Sequence, residues 1–188
     1  MLGYGSLSEG EIRMLASDKL IEAFNQQIGN ELGASLQYIA IASYFDSETL
    51  PQLARFFYRQ SAEEREHAMR FVKFVNNVCG KVKIPALPAP ESEFASAEEA
   101  VGRAVSGEED VTRQIYDLVE VAKADKNYVG VRFLDWFVAE QLEEVTTMRD
   151  LLAVIRRAGP DRLLYVEEYL VRQGGRGLES PAAPAETT

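Results

Sequence analysis

The chain has 188 residues, enough for one domain with tails, and its 46% hydrophobic content suffices for a sizeable core. A net charge of −10 argues against nucleic acid and anionic lipid as partners and suits cations. No run of about 18 uncharged apolar residues occurs, so no membrane span is expected. The opening MLGYGSLSEGEIRML has no basic stretch leading into an apolar one and does not read as a signal peptide. The single Cys79 cannot form an internal disulfide, and the expected compartment is the cytoplasm.

Apolar residues recur every three or four positions over long stretches, which predicts an all-α chain. Residues 1–16 read as an N-terminal extension. A first helix is expected from Ser17 to Phe45. A second starts near Thr49-Leu50-Pro51, with proline harmless in a first turn, and stops at Gly80. Ser96-x-x-Glu99 has the capping-box pattern and opens a third helix that runs to Ala124. A fourth covers Asn127 to Ala158. Gly159-Pro160 breaks it, and a short fifth helix ends near Arg172. The domain therefore spans 17–172, and 173–188, rich in proline and small residues, reads as a mobile tail.

The connections set the topology. Two short links make the first and second helices, and the third and fourth, antiparallel neighbours. Between the second and third lies KVKIPALPAPESEFA, with three prolines. About 16 near-extended residues can span roughly 53 Å, longer than a helix of about 30 residues at 1.5 Å each. The expected fold is a four-helix bundle with one long crossover plus a short fifth C-terminal helix.

Each predicted core stripe carries a glutamate where packing calls for an apolar residue. The first reads Leu20, Phe24, Ile28, Glu31, Ser35, Tyr38, Ala42, Phe45; the second reads Leu53, Phe57, Gln60, Glu64, His67, Phe71, Phe74, Val78. The third carries Glu108 between Val105 and Thr112, and the fourth carries Gln141 and Glu144 between Phe137 and Met148. Counted from the turns, the four glutamates fall within roughly one helical turn of a common level. Left unpaired there, each would cost several kcal/mol. No lysine or arginine occupies these stripes, so metal ions are the expected counter-charge. Carboxylates with one imidazole suit iron or manganese. Glu64-x-x-His67 places two ligands one turn apart on one face. Glu109 adjoins Glu108, and spacing to Thr112 favours Glu108. Cys79 reads as a buried small residue.

Over residues from about 18 to 172 the chain resembles the bacterial non-haem ferritins. The resemblance is carried by NELGASLQY around Glu31 and Tyr38, SAEEREHAM around Glu64 and His67, EEDVTRQ around Glu108, and WFVAEQLEEV from Trp136 to Val145. It implies oxidation of Fe(II) by dioxygen or hydrogen peroxide and ferric storage inside a hollow homo-24-mer. It also implies roles: Glu31, Glu64 and His67 as a first iron site, and Glu64 bridging to a second with Glu108, Glu144 and nearby Gln141. Tyr38 resembles the family's redox tyrosine, and otherwise reads as a packed core tyrosine. Glu63, Glu140 and Glu143 would face the shell interior, as a third iron site or as a solvated acidic face.

Two departures from related branches bear on function. Haem-binding relatives have methionine after the bridging glutamate and a second Glu-x-x-His on the fourth helix. Here Arg65 and Glu140-x-x-Glu143 stand there, which disfavours haem. Val131 and Leu134 replace the acidic pair that lines a channel in animal ferritins. The apolar face Leu163, Val166, Tyr169, Leu170 of the fifth helix is expected to meet three copies at a four-fold axis, the alternative being that it folds back on its own bundle. A di-iron oxidase or peroxidase without a storage role is the alternative function.

Overall fold

The computed structural model describes residues 15–174; residues 1–14 and 175–188, with most of the expected extension and tail, lie outside the described residues. Five α-helices follow in chain order: α1 (Asp18–Ser47), α2 (Pro51–Asn77), α3 (Ala97–Ala124), α4 (Tyr128–Ala158) and α5 (Leu163–Gly174). No strand occurs among the described residues.

The helix starts follow local chemistry. The Ser17 hydroxyl accepts from the Leu20 amide at 3.1 Å, and Ser96 accepts from Glu99 at 3.1 Å. Glu99 in turn accepts from the Ala95 amide, one residue before the cap, where the expected box would have it accept from Ser96. Asn127 caps α4 by accepting from Gly130 at 2.7 Å. Gly159, at φ 73°, ends α4 where the sequence predicts the break.

The end of α2 differs from expectation. Cys79, not Gly80, holds the left-handed conformation, at φ 61°, and Cys79 is exposed rather than buried. Gly80 is needed for a different reason: a Cβ there would lie 2.7 Å from Ile21 Cδ1.

The crossover lies along α1. Asn25 brackets its start, donating to the Lys81 carbonyl and accepting from the Lys83 amide, both at 2.9 Å. Gln37 brackets its end at Glu91 in the same way, at 2.8 and 3.0 Å. Twelve helical residues separate the two brackets, about 18 Å of rise. At Gly29 the helix and the crossover touch so closely that a Cβ would come within 2.3 Å of the Pro85 ring.

The apolar interior forms two clusters. One holds Ile41, Phe45, Leu53, Phe57, Val101, Met148 and Ile155. The other holds Leu20, Phe24, Ile28, Phe71, Ile115, Leu134 and Phe137. The glutamate level separates them. Leu134 is fully buried and Val131 packs on the second cluster, so in the subunit both serve the core.

Helix α5 corrects the expected face. Val166 is completely buried in the first cluster, with Leu163 and Leu170 packed against it, so this face docks on its own bundle. Leu164, Tyr165 and Val171 form what is left exposed. Glu167 explains the docking. Helix α2 begins at Leu50-Pro51 with no side-chain cap of its own. Glu167 accepts from the Gln52 and Leu53 amides at 2.8 and 2.9 Å, satisfying two donors that the helix cannot. Glu167→Ala is expected to destabilise the subunit by about 1–2 kcal/mol and lower its thermal midpoint by several degrees. An unchanged midpoint in calorimetry would remove this role from Glu167.

Candidate metal centre

Four helices deliver one polar layer. Glu31 comes from α1, Gln60, Glu64 and His67 from α2, Glu108 from α3, and Glu140, Gln141 and Glu144 from α4; all are buried. Because a helix turns once in 3.6 residues, the (i, i+3) and (i, i+4) spacings within α2 and α4 point these side chains into the same interior.

Two ligand groups result. Atoms from Glu31, Glu64 and His67 lie within 4.8 Å of one another, and so do atoms from His67, Glu140 and Glu144. Hydrogen bonding leaves much of this layer unsatisfied. Glu31 Oε2, both Glu64 oxygens, His67 Nδ1, Glu108 Oε2 and Glu140 Oε2 are buried with no hydrogen-bond partner among the described residues. Glu64 Oε2 approaches His67 Nδ1 to 3.4 Å without hydrogen-bonding geometry. Such orphaned buried atoms are rare in folded proteins and mark a site completed by something else.

The remaining atoms are held firmly. Gln27 Nε2 donates to Glu31 Oε1 at 2.9 Å, and Gln60 Nε2 donates to Glu144 at 3.3 Å and to Glu63 at 2.5 Å. Tyr38 donates its hydroxyl proton to Glu108. Thr112 donates to the Glu108 carbonyl at 2.8 Å or to Gln141 Oε1 at 2.9 Å. The Trp136 ring lies edge-on to His67, centroids 5.4 Å apart, and Arg70 stacks 4.0 Å over Trp136. This stack limits rotation of the imidazole.

Burial raises the carboxyl pKa values, because charge without water is costly. It pushes Glu31 well above the usual range, and Glu64 beside it adds repulsion. Burial acts likewise on Glu64, with Glu108 adding, and on Glu144, with Glu108 and Glu64 adding. Glu108 is pushed up to about 7 by burial, with the Tyr38 hydrogen bond pulling it back down. The Tyr38 hydroxyl is raised by burial and then by Glu108. Burial also raises Glu63, with Arg59 opposing, and Glu143, with Glu140 adding. A metal-free site of this kind holds protons where a divalent ion would otherwise sit.

Glu31, Glu64 and His67 come together as one group, whereas Glu108 falls in neither ligand group and Glu140 rather than Glu108 joins Glu144. Glu108 is buried and Glu109 pairs with Arg149 at 2.6 Å, so the choice between those neighbours falls on Glu108. Glu63, Glu140 and Glu143 do not form one surface set. Glu140 is buried against His67 and Glu144, while Glu63 and Glu143 are half-buried. The signal for Glu140 was its spacing of four from Glu144, which places both on one face. Sequence reasoning missed Gln27, which lies off the first stripe, and gave Gln60 of the second stripe no role as a hydrogen-bond donor to the ligands.

Comparison with known proteins agrees with this geometry. The family model described as a ferritin-like domain matches residues 21–158. The chain is 39% identical over 158 residues to Ferritin BfrB of Mycolicibacterium smegmatis, covering 84% of this chain and 87% of that one. It is 36% identical over 156 residues to the bacterial non-heme ferritin of Staphylococcus haemolyticus, covering 82% and 93%. Among solved structures, the open pore ferritin of Archaeoglobus fulgidus superposes with a TM-score of 0.81 at 36% identity, covering 84% of this chain and 97% of that one. With two ligand groups inside a four-helix bundle and matches of this extent, the chain belongs to the ferritin family.

Proposed function

We propose that the protein is an iron-storage ferritin subunit that takes Fe(II) as substrate, oxidises it inside the bundle and passes Fe(III) on as mineral. The set of buried ligand atoms without partners carries this reading. Glu31, Glu64 and His67 hold one Fe(II). Glu108 and Glu144, with Glu64 shared, hold the second, and Gln141 lies alongside. Binding expels the protons held on these carboxyls. Carboxylate oxygens favour Fe(III) over Fe(II), since the harder and more highly charged ion gains more from them. Two Fe(II) give up two electrons. Dioxygen with two protons takes them to yield hydrogen peroxide, or hydrogen peroxide with two protons yields two waters. Tyr38 donates its hydroxyl proton to Glu108 and so holds that ligand beside the centre. Glu63, Glu140 and Glu143 supply the next carboxylates on the α2 and α4 side, the proposed path of Fe(III) and third iron site.

The protein is further proposed to lack haem, because Arg65 offers no sulfur to haem iron. Copies are proposed to close into a 24-subunit shell. The exposed Leu164, Tyr165 and Val171 of α5, rather than the docked face, would supply contacts there. Stopped-flow absorbance after mixing metal-free protein with two Fe(II) per subunit and oxygen tests the activity. A fast ferric signal that saturates near two Fe(II) per subunit is expected, from particles near 24 times 21.0 kDa and without a Soret band. Ferric formation no faster than in buffer would refute the activity.

A further inference from the structure

We propose that Fe(II) enters through a cleft between α1, α3 and the crossover, lined by both polar and apolar residues, with the Tyr38–Glu108 pair as the floor. The inference rests on the reading of the metal centre above. The cleft has a volume of about 360 Å³ and is lined by residues of all three segments. Its floor residues also belong to the candidate centre. Glu108 therefore reaches both spaces: one oxygen accepts from Tyr38, and the other is buried with no partner among the described residues.

Both helical walls carry a glycine at the cleft, Gly33 on α1 and Gly107 on α3. Glycine inside a helix costs about 1 kcal/mol relative to alanine, so it is used where space matters. A Cβ on Gly33 would meet nothing within 4 Å, and one on Gly107 only Arg103 Nη1, at 3.4 Å. Close helix packing does not require either glycine. What they do is keep the passage wide. Gly29 is the contrast, since Pro85 fills the space beside it.

The walls suit a partly hydrated cation. Asn30 Nδ2 donates to Gln114 Oε1 at 3.0 Å, and Gln27 Nε2 donates to the same oxygen at 3.3 Å. Gln27 also donates to Glu31 Oε1 at 2.9 Å. A chain of side-chain amides thus leads from the cleft wall to a ligand of the centre, and amide and carboxylate oxygens are the donors a hard divalent ion accepts in place of water. Arg103 at the cleft is drawn to Glu91, 3.5 Å away, which offsets its charge. For an ion to pass, Glu108 must swing away from Tyr38 and back, which makes it the ligand that receives the ion first.

The test blocks the passage without touching a ligand. Gly33→Leu and, from the opposite wall, Gly107→Leu fill the cleft, while Gly33→Ala leaves it open. Each full-length variant is mixed with two Fe(II) per subunit and oxygen, and its anaerobic Fe(II) stoichiometry is measured separately. Both leucine variants are expected to slow the fast phase by about tenfold or more at parental stoichiometry, as gating of access predicts, and the alanine variant to stay within about twofold. Parental rates in the leucine variants would overturn the proposal. Loss of anaerobic binding would overturn it too, since the added bulk would then be disturbing the centre itself. If the parent protein binds no Fe(II), the reading of the centre has failed rather than that of the port.

Discussion

Glu64→Ala is expected to slow the fast phase of Fe(II) oxidation by at least about 100-fold, because a reaction that needs two ions held side by side loses its positioning when the shared ligand goes. Glu64 is central to the layer. It is completely buried, it belongs to the group with Glu31 and His67, and neither of its oxygens has a partner among the described residues. The same facts say that the fold does not depend on it. Burial holds its carboxyl well above the usual range, so the folded chain tolerates the group only at a cost. Glu64→Gln, which keeps the shape and removes the titrating group, is expected to lose the fast phase while matching or exceeding the parent in thermal stability without metal. Fast-phase kinetics equal to the parent in both variants would sink the assignment.

The second large effect concerns metal removal and pH. Glu31, Glu64 and Glu144 are raised well above their ordinary values, and Glu108 is raised to about 7. A carboxyl whose pKa is higher in the folded state stabilises the fold fully below its unfolded value, near 4.5, and that stability is lost as pH rises through the folded value. The metal-free protein should therefore weaken from about pH 5 to pH 8. Glu108 alone accounts for a loss of order 3 kcal/mol, or roughly 6–12 °C in the thermal midpoint. A redox-inert divalent ion such as Zn(II) should abolish most of the decline, because it binds the ionised folded site. Thermal scans of metal-free and Zn(II)-loaded protein across this range provide the check. Parallel pH profiles would show that these carboxylates do not share a metal site.

Much of the bundle and its polar layer was legible in the sequence. Every residue of the first two stripes, from Leu20 to Phe45 and from Leu53 to Val78, is buried as expected. Helical periodicity reports which side of a helix faces the interior, and a glutamate there stands out against apolar neighbours. One misplacement arises because periodicity says that a face is covered but not by what. Val166 of α5, expected to face neighbouring copies, is covered by the same subunit's bundle, with Leu163 and Leu170 partly buried against it. Glu140 sits one position before the stripe residue Gln141, and a helical wheel alone left its direction open. At the end of α2, Gly80 looked like the left-handed residue because glycine usually is. Cys79 holds that conformation instead, at φ 61°.

The Glu167 contact has a consequence for how the protein is made. Helix α2 carries Glu64 and His67, but two amides of its first turn are satisfied only by a side chain 115 and 114 residues further on. A ribosome must have translated past residue 167, and released it from the exit tunnel, before α2 can begin in its finished form. A nascent chain arrested ahead of α5 would carry both iron ligands of α2 on a helix whose first turn still depends on water. The first turn of the ligand-bearing helix is therefore completed late in synthesis, after α5 has emerged.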